Sequence, residues 1–105
     1  MKILVVDDQE SVLEVLTSML ASDGHVVETA TNGDDAFKIY CAHLSDAKPF
    51  DFVLTGIELP GMNGIALRRA IWSKNSKQRV GLTTAYPILP RPHSKEALLA
   101  FVKSN

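Results

Sequence analysis

Two rhythms of apolar and polar residues take turns along this chain. Ile3-Leu4-Val5-Val6 is a continuous apolar run that stops at Asp7-Asp8, the pattern of a strand covered by helices on both faces. Val12, Leu16, Met19 and Leu20 then recur at helical spacing and form one apolar stripe. Asp8 to Ser11 offer side chains to cap the first turn of that helix, and Gly24 is placed to end it. Residues 25–31, with Val26 and Val27 at their centre, predict a second strand. Asn32-Gly33-Asp34 opens a second helix whose inward stripe is Ala36, Phe37, Tyr40, Cys41 and Leu44. A third strand spans 51–55, and a loop punctuated by Gly56, Pro60, Gly61 and Gly64 follows. A third helix over 65–74 turns Ile65, Leu67, Ala70 and Ile71 inward, a fourth strand covers 80–84, and a final helix spans 94–103. That last helix takes Ser94 as N-cap and Leu98, Leu99, Phe101 and Val102 as core. Regular alternation of strand and helix predicts an α/β protein with a parallel sheet between two helical layers.

Composition narrows this picture without changing it. With 105 residues the chain predicts one domain, 1–105, with no output domain after Asn105. A net charge of −1 carries no cationic footprint for nucleic acid. Lys74, Lys77 and Arg79 resemble a phosphate-binding patch, but cations near a helix C-terminus are more commonly solvated charges favoured by the dipole. Cys41 is the single cysteine, which excludes an intrachain disulfide and fits a reducing cytosol as a small core residue. The first apolar run is too short for a signal peptide or a membrane span, so a cytoplasmic location is expected. His25, His43 and His93 show no metal-ligand spacing, and His43 reads as a surface histidine near a helix end rather than a phosphotransfer histidine.

In an open α/β sheet, chemistry collects where strands end at their carboxyl edge. Asp7 and Asp8 stand there after the first strand, and the glycine-rich loop stands there after the third. Four features in this order, Asp7-Asp8, Leu59-Pro60-Gly61-Met62-Asn63-Gly64, Thr84-Ala85 and Arg91-Pro92, resemble the receiver domain of two-component response regulators. The resemblance runs from Lys2 to about Val102. It implies a flavodoxin-like, doubly wound sheet of order 2-1-3-4-5, and an aspartate at the end of the third strand that accepts a phosphoryl group from a histidine kinase. By the same resemblance Asp7, Asp8 and the backbone carbonyl of Glu58 correspond to the Mg²⁺ ligands, and Thr84 to the hydroxyl that contacts the phosphoryl oxygens.

The departures from that pattern carry the functional expectation. The acceptor position is Gly56, and an acyl phosphate requires a carboxylate nucleophile. Losing it also removes a central ligand, so any Mg²⁺ site on Asp7, Asp8 and Glu58 is expected to be weak or vestigial, and no cofactor is required. Arg91 replaces the family's lysine, a planar fork in place of a compact ammonium, and Ile88 replaces the switching aromatic. Thr55 should point to the opposite face of its strand from Gly56, and Glu58 reads as a solvated loop residue.

Chain length makes a second departure. Between Thr84 and Leu89 there is no room for the family's fourth helix, whereas a parallel crossover takes about a dozen residues. The fifth strand is then lost, paired antiparallel, or exchanged with a partner chain. Exchange is favoured, because it covers the exposed edge of the fourth strand. Tyr86, Ile88, Leu89, Leu98 and Phe101 would form that dimer interface. The expected function is a stand-alone pseudo-receiver, not an enzyme, that acts through contacts with itself and with a histidine kinase or phosphotransfer protein docking near Val12 and Val15. The alternative is a phosphorylation-competent regulator whose aspartate has been substituted or that uses another acceptor. A small flavodoxin-like nucleotide binder is weaker still, since no Gly-x-Gly-x-x-Gly run follows the first strand.

Overall fold

The structure, a computed structural model, describes residues 1–83. In chain order these form β1 (Lys2–Val6), α1 (Glu10–Ala21), β2 (Val26–Ala30), α2 (Gly33–Ser45), β3 (Phe52–Gly56), α3 (Gly64–Lys74) and β4 (Val80–Thr83). The four strands make one parallel sheet of order β2-β1-β3-β4. This is the flavodoxin-like order that the resemblance implies, up to its fourth strand. The expected fifth strand and final helix, with Tyr86, Ile88, Leu89, Leu98 and Phe101, lie outside the described residues, as does the segment with no room for a fourth helix.

The central strands are apolar throughout because both their faces are covered. Successive side chains point to opposite sides of a strand. Ile3 and Val5 of β1, with Phe52 and Leu54 of β3, therefore join Leu13, Leu16 and Leu20 of α1 in one core. Leu4, Val6 and Val53 join Ala36, Tyr40, Leu67 and Ile71 of α2 and α3 in the other. Register is in step across the sheet, Ile3 opposite Phe52 and Val5 opposite Leu54, so each core row is continuous. β2 is an edge strand, and Val26 is 63% exposed there, which is why its sequence is only half apolar.

Several local expectations are corrected. The buried positions of α1 are Leu13, Leu16 and Leu20, with Val12 and Met19 on the flank of the stripe. No side chain caps α1: Gln9 is its N-cap, and the carboxylate of Asp7 instead accepts from the Gln9 amide at 2.9 Å. In α3 the inward residues are Leu67 and Ile71, while Ile65 is 38% exposed. Ile65 falls about 200° of helical turn from Leu67 and so cannot share its side. Asn32, in the turn expected to open α2, caps it by accepting from the Asp35 amide, and Asn63 caps α3 in the same way through Ala66.

Cys41 is half-buried on α2. His43 is not a surface histidine. Its ring packs on Phe50 at 4.6 Å, its Nε2 contacts Glu28, and its Nδ1 lies 2.6 Å from Lys2 Nζ, tying the end of α2 to β1 and β2.

Candidate functional site at the carboxyl edge of the sheet

β1 and β3 are neighbours, and their carboxyl ends deliver the two positions on which function turns. Asp7 follows Val6 directly and is buried, 8% exposed, with its amide bonded to Ala30 O at 3.2 Å. Asp8 beside it is exposed. Across from them β3 ends at Gly56, and the amide of Ile57 donates to Thr83 O at 2.8 Å. A Cβ placed on Gly56 would stand 3.4 Å from Asp7 Oδ2 and 3.7 Å from Leu59 Cδ2 and Val6 O, all ordinary contacts. The missing side chain would therefore project straight at the aspartate.

Burial holds the Asp7 carboxyl above its ordinary value of 3.8. The hydrogen bond from Gln9 opposes that shift, and the neighbouring Asp8 carboxylate adds to it. Because the folded value is raised, the folded chain holds this proton more tightly than the unfolded chain. The contribution of Asp7 to stability is thus fully present at low pH and is lost as pH climbs from about 4 through the raised value. Asp7→Asn is accordingly expected to stabilise the cation-free protein near neutral pH by about 1 kcal/mol. The gain should disappear toward pH 4, as thermal melts across that range will read. A variant that melts lower than the parent at pH 7 would refute the account that burial of the charged carboxylate is destabilising.

The edge continues onto α2. Asp8, Asp34, Asp35, Pro60 and Gly61 line an open groove beside Asp7. Asp34 and Asp35 add to the candidates that the sequence offers, since Asn32-Gly33-Asp34-Asp35 follows a strand and so falls on the same edge. Glu58 is exposed in the loop after β3. Thr55 is buried away from Asp7, and its hydroxyl donates to Gly56 O at 2.9 Å. Thr84 directly follows Thr83, the residue paired with Gly56, and like Arg91 and His93 it lies outside the described residues.

The structure thus brings Asp7 and Asp8 together, and Gly56 adds no third carboxylate. Among the described residues no group of three His, Cys, Asp or Glu side chains is placed to hold a metal ion. Mg²⁺ favours an octahedron of oxygens in which carboxylates and phosphate oxygens replace some waters. The donor set that remains here fits that ion poorly.

The family model for the response regulator receiver domain matches residues 3–96. The chain is 34% identical over 85 residues to the transcriptional regulatory protein CusR of Escherichia coli, covering 81% of this chain and 35% of that protein. It is 41% identical over 76 residues to a protein-glutamate methylesterase/protein-glutamine glutaminase of Halalkalibacterium halodurans, covering 70% of this chain and 20% of that one. The chain therefore spans about a third or less of the length of these relatives. Among solved structures, a chain of the CheX-CheY-BeF3-Mg²⁺ complex from Borrelia burgdorferi superimposes with a TM-score of 0.85 at 24% identity, covering 98% of this chain and 87% of the other. A receiver domain protein from Clostridium thermocellum gives 0.81 at 23%, covering 98% and 91%. These two structural likenesses bear on the fold. The profile match and the relatives, together with the paired aspartates opposite Gly56, place the chain in the response regulator receiver domain family of two-component signalling.

Proposed function

We propose that this receiver domain is a pseudo-receiver, not phosphorylated at the usual position, that acts in a phosphorelay through protein contacts. One observation carries the reading: the position whose Cβ would stand 3.4 Å from Asp7 Oδ2 is a glycine. Phosphoryl transfer to a receiver forms a bond between a carboxylate oxygen and phosphorus while the bond from phosphorus to the donor breaks. Gly56 has no oxygen beyond its backbone carbonyl, so the first of those bonds has no partner at this position. Mg²⁺ binding at Asp7, Asp8 and the Glu58 carbonyl would be weak for want of the third carboxylate, and no cofactor is needed.

The surface near the start of α1 is still available for a histidine kinase or phosphotransfer protein. Val15 is 49% exposed there, beside half-buried Val12. Docking without transfer would make the protein a competitor or an adaptor for other receivers.

Incubation with acetyl phosphate and Mg²⁺, followed by intact-mass measurement, tests this directly. No added phosphoryl group is expected, and beryllofluoride with Mg²⁺ should leave the fluorescence of Trp72 unchanged. A phosphoryl adduct on the unaltered chain would sink the proposal and identify an acceptor other than residue 56.

A further inference from the structure

We infer that the outer side of α3 is a docking surface for an acidic segment of a protein partner. Charge along this chain is strongly segregated. Residues 64–83 contain five lysines and arginines and no aspartate or glutamate, whereas residues 1–63 hold eleven acids against three bases. Arg79 is already engaged, its guanidinium 5.3 Å from the Phe52 ring. Among the described residues no carboxylate pairs with Arg68, Arg69, Lys74 or Lys77.

Those cations surround apolar surface. Leu67 and Ile71 face the core, so Ile65, Arg68, Arg69 and Trp72 share the opposite side at helical spacing. Ile65 is 38% exposed and Trp72 40%, two of the large apolar side chains most exposed in the described chain. An exposed tryptophan flanked by arginines has the composition of an interface anchor, where aromatic area and paired charge act together.

The arrangement is also fixed in advance. The indole N–H of Trp72 donates to Gln78 O at 2.8 Å. Gln78 is itself buried and accepts from the Tyr40 hydroxyl at 2.8 Å, so the anchor reaches back to α2. Arg68 lies over the other side of this anchor, its Cζ 4.9 Å from the Trp72 ring. A partner docking here meets Trp72 and Arg68 already held in place, which lowers the entropy cost of binding them. Cations with no carboxylate partner among the described residues, set around an anchored tryptophan, fit a segment that carries aspartates or glutamates beside a few large apolar residues.

This surface extends the contact-based reading above by naming the chemistry of one partner. Its test is separate: a phosphoryl adduct on the unaltered chain would overturn that reading and leave this one standing. Trp72 is the single tryptophan, so its fluorescence reports the site itself. The protein is titrated with a short peptide of glutamates and leucines, with the counterpart carrying glutamine for every glutamate, and with oligothymidylate. The glutamate peptide should shift Trp72 emission and bind about tenfold more tightly than either control, and more weakly as salt is raised. Arg68→Glu with Arg69→Glu should weaken it about tenfold while leaving the melting temperature in place. Lys74→Glu with Lys77→Glu gives the same reading should the first pair disturb the helix. Absence of binding, equal binding of the glutamine peptide, tighter binding of oligothymidylate, or charge-reversed variants that bind like the parent would each overturn the proposal.

Discussion

Replacing Gly56 by aspartate is expected to let the chain take a phosphoryl group from acetyl phosphate in a Mg²⁺-dependent reaction that the unaltered chain does not support. The space for the side chain exists: its Cβ would meet Asp7 Oδ2 at 3.4 Å and nothing closer. The backbone is already ordered as in a receiver, with Gly56 paired to Thr83 and Ile57 bonded to Thr83 O. The new carboxylate would complete the set of three acids with Asp7 and Asp8 and supply the missing nucleophile. Without a cation, three like charges crowd one edge, and burial already disfavours the ionised form of Asp7. The variant should therefore be less stable than the parent near neutral pH by about 1–2 kcal/mol. Mg²⁺ should reverse that loss, because a ligand that binds only the folded state adds to its stability. Intact mass with and without Mg²⁺, together with melting curves under the same conditions, checks both halves. A variant that gains no phosphoryl group and melts alike with and without Mg²⁺ would show that more than residue 56 has been lost.

The largest loss of stability is expected at Gly64, not at the site's charged residues. A Cβ on Gly64 would lie 2.0 Å from Gly56 O and 2.9 Å from Gly56 C. Both are backbone atoms at the end of β3 and cannot swing aside. Gly64 also donates its amide to Ile57 O at 2.8 Å, which closes the loop at the start of α3. Gly64→Ala must then push α3 away from β3 or distort the strand end, and should cost about 3–5 kcal/mol. Gly24 is the contrast. It turns the chain after α1 with φ of 86°, and a Cβ there would meet nothing within 4 Å. Gly24→Ala therefore bears only the left-handed backbone penalty, about 1–2 kcal/mol. Urea unfolding of the two variants, followed by Trp72 fluorescence, separates close contact from conformation. Equal losses would show that the approach of α3 to β3 is not rigid.

These outcomes bear on what the domain has become. The wall of the acidic edge is still built: Asp7 is buried and hydrogen-bonded, Asn32 and Asn63 cap the adjoining helices, and the loop after β3 is closed. The proposed pseudo-receiver would keep this scaffold for docking while Gly56 supplies no nucleophile. The proposed docking surface around the exposed Trp72 on α3 lies apart from Asp7 and Gly56.

Much of this was readable from residues alone. The apolar run Ile3–Val6 and the turn Asn32-Gly33-Asp34 set the strand and the helix start where the structure has them, because backbone burial and capping are local demands. That Gly56 cannot be phosphorylated likewise needs only its chemistry. What local pattern could not supply was the side of a helix that meets the sheet. Leu13 is buried and Ile65 exposed because α1 and α3 lie at particular rotations on strands distant in sequence. The same holds for the site. Asp34 and Asp35 join Asp8 at one groove, Gly56 faces Asp7, and His43 bridges Glu28 and Lys2, only because parallel register sets strands from different parts of the chain side by side. Sequence by itself determined which residues are present to react and which is missing. Tertiary structure decided which of them meet, since contacts across a parallel sheet depend on register and helix rotation, and neither is written in any single stretch of the chain.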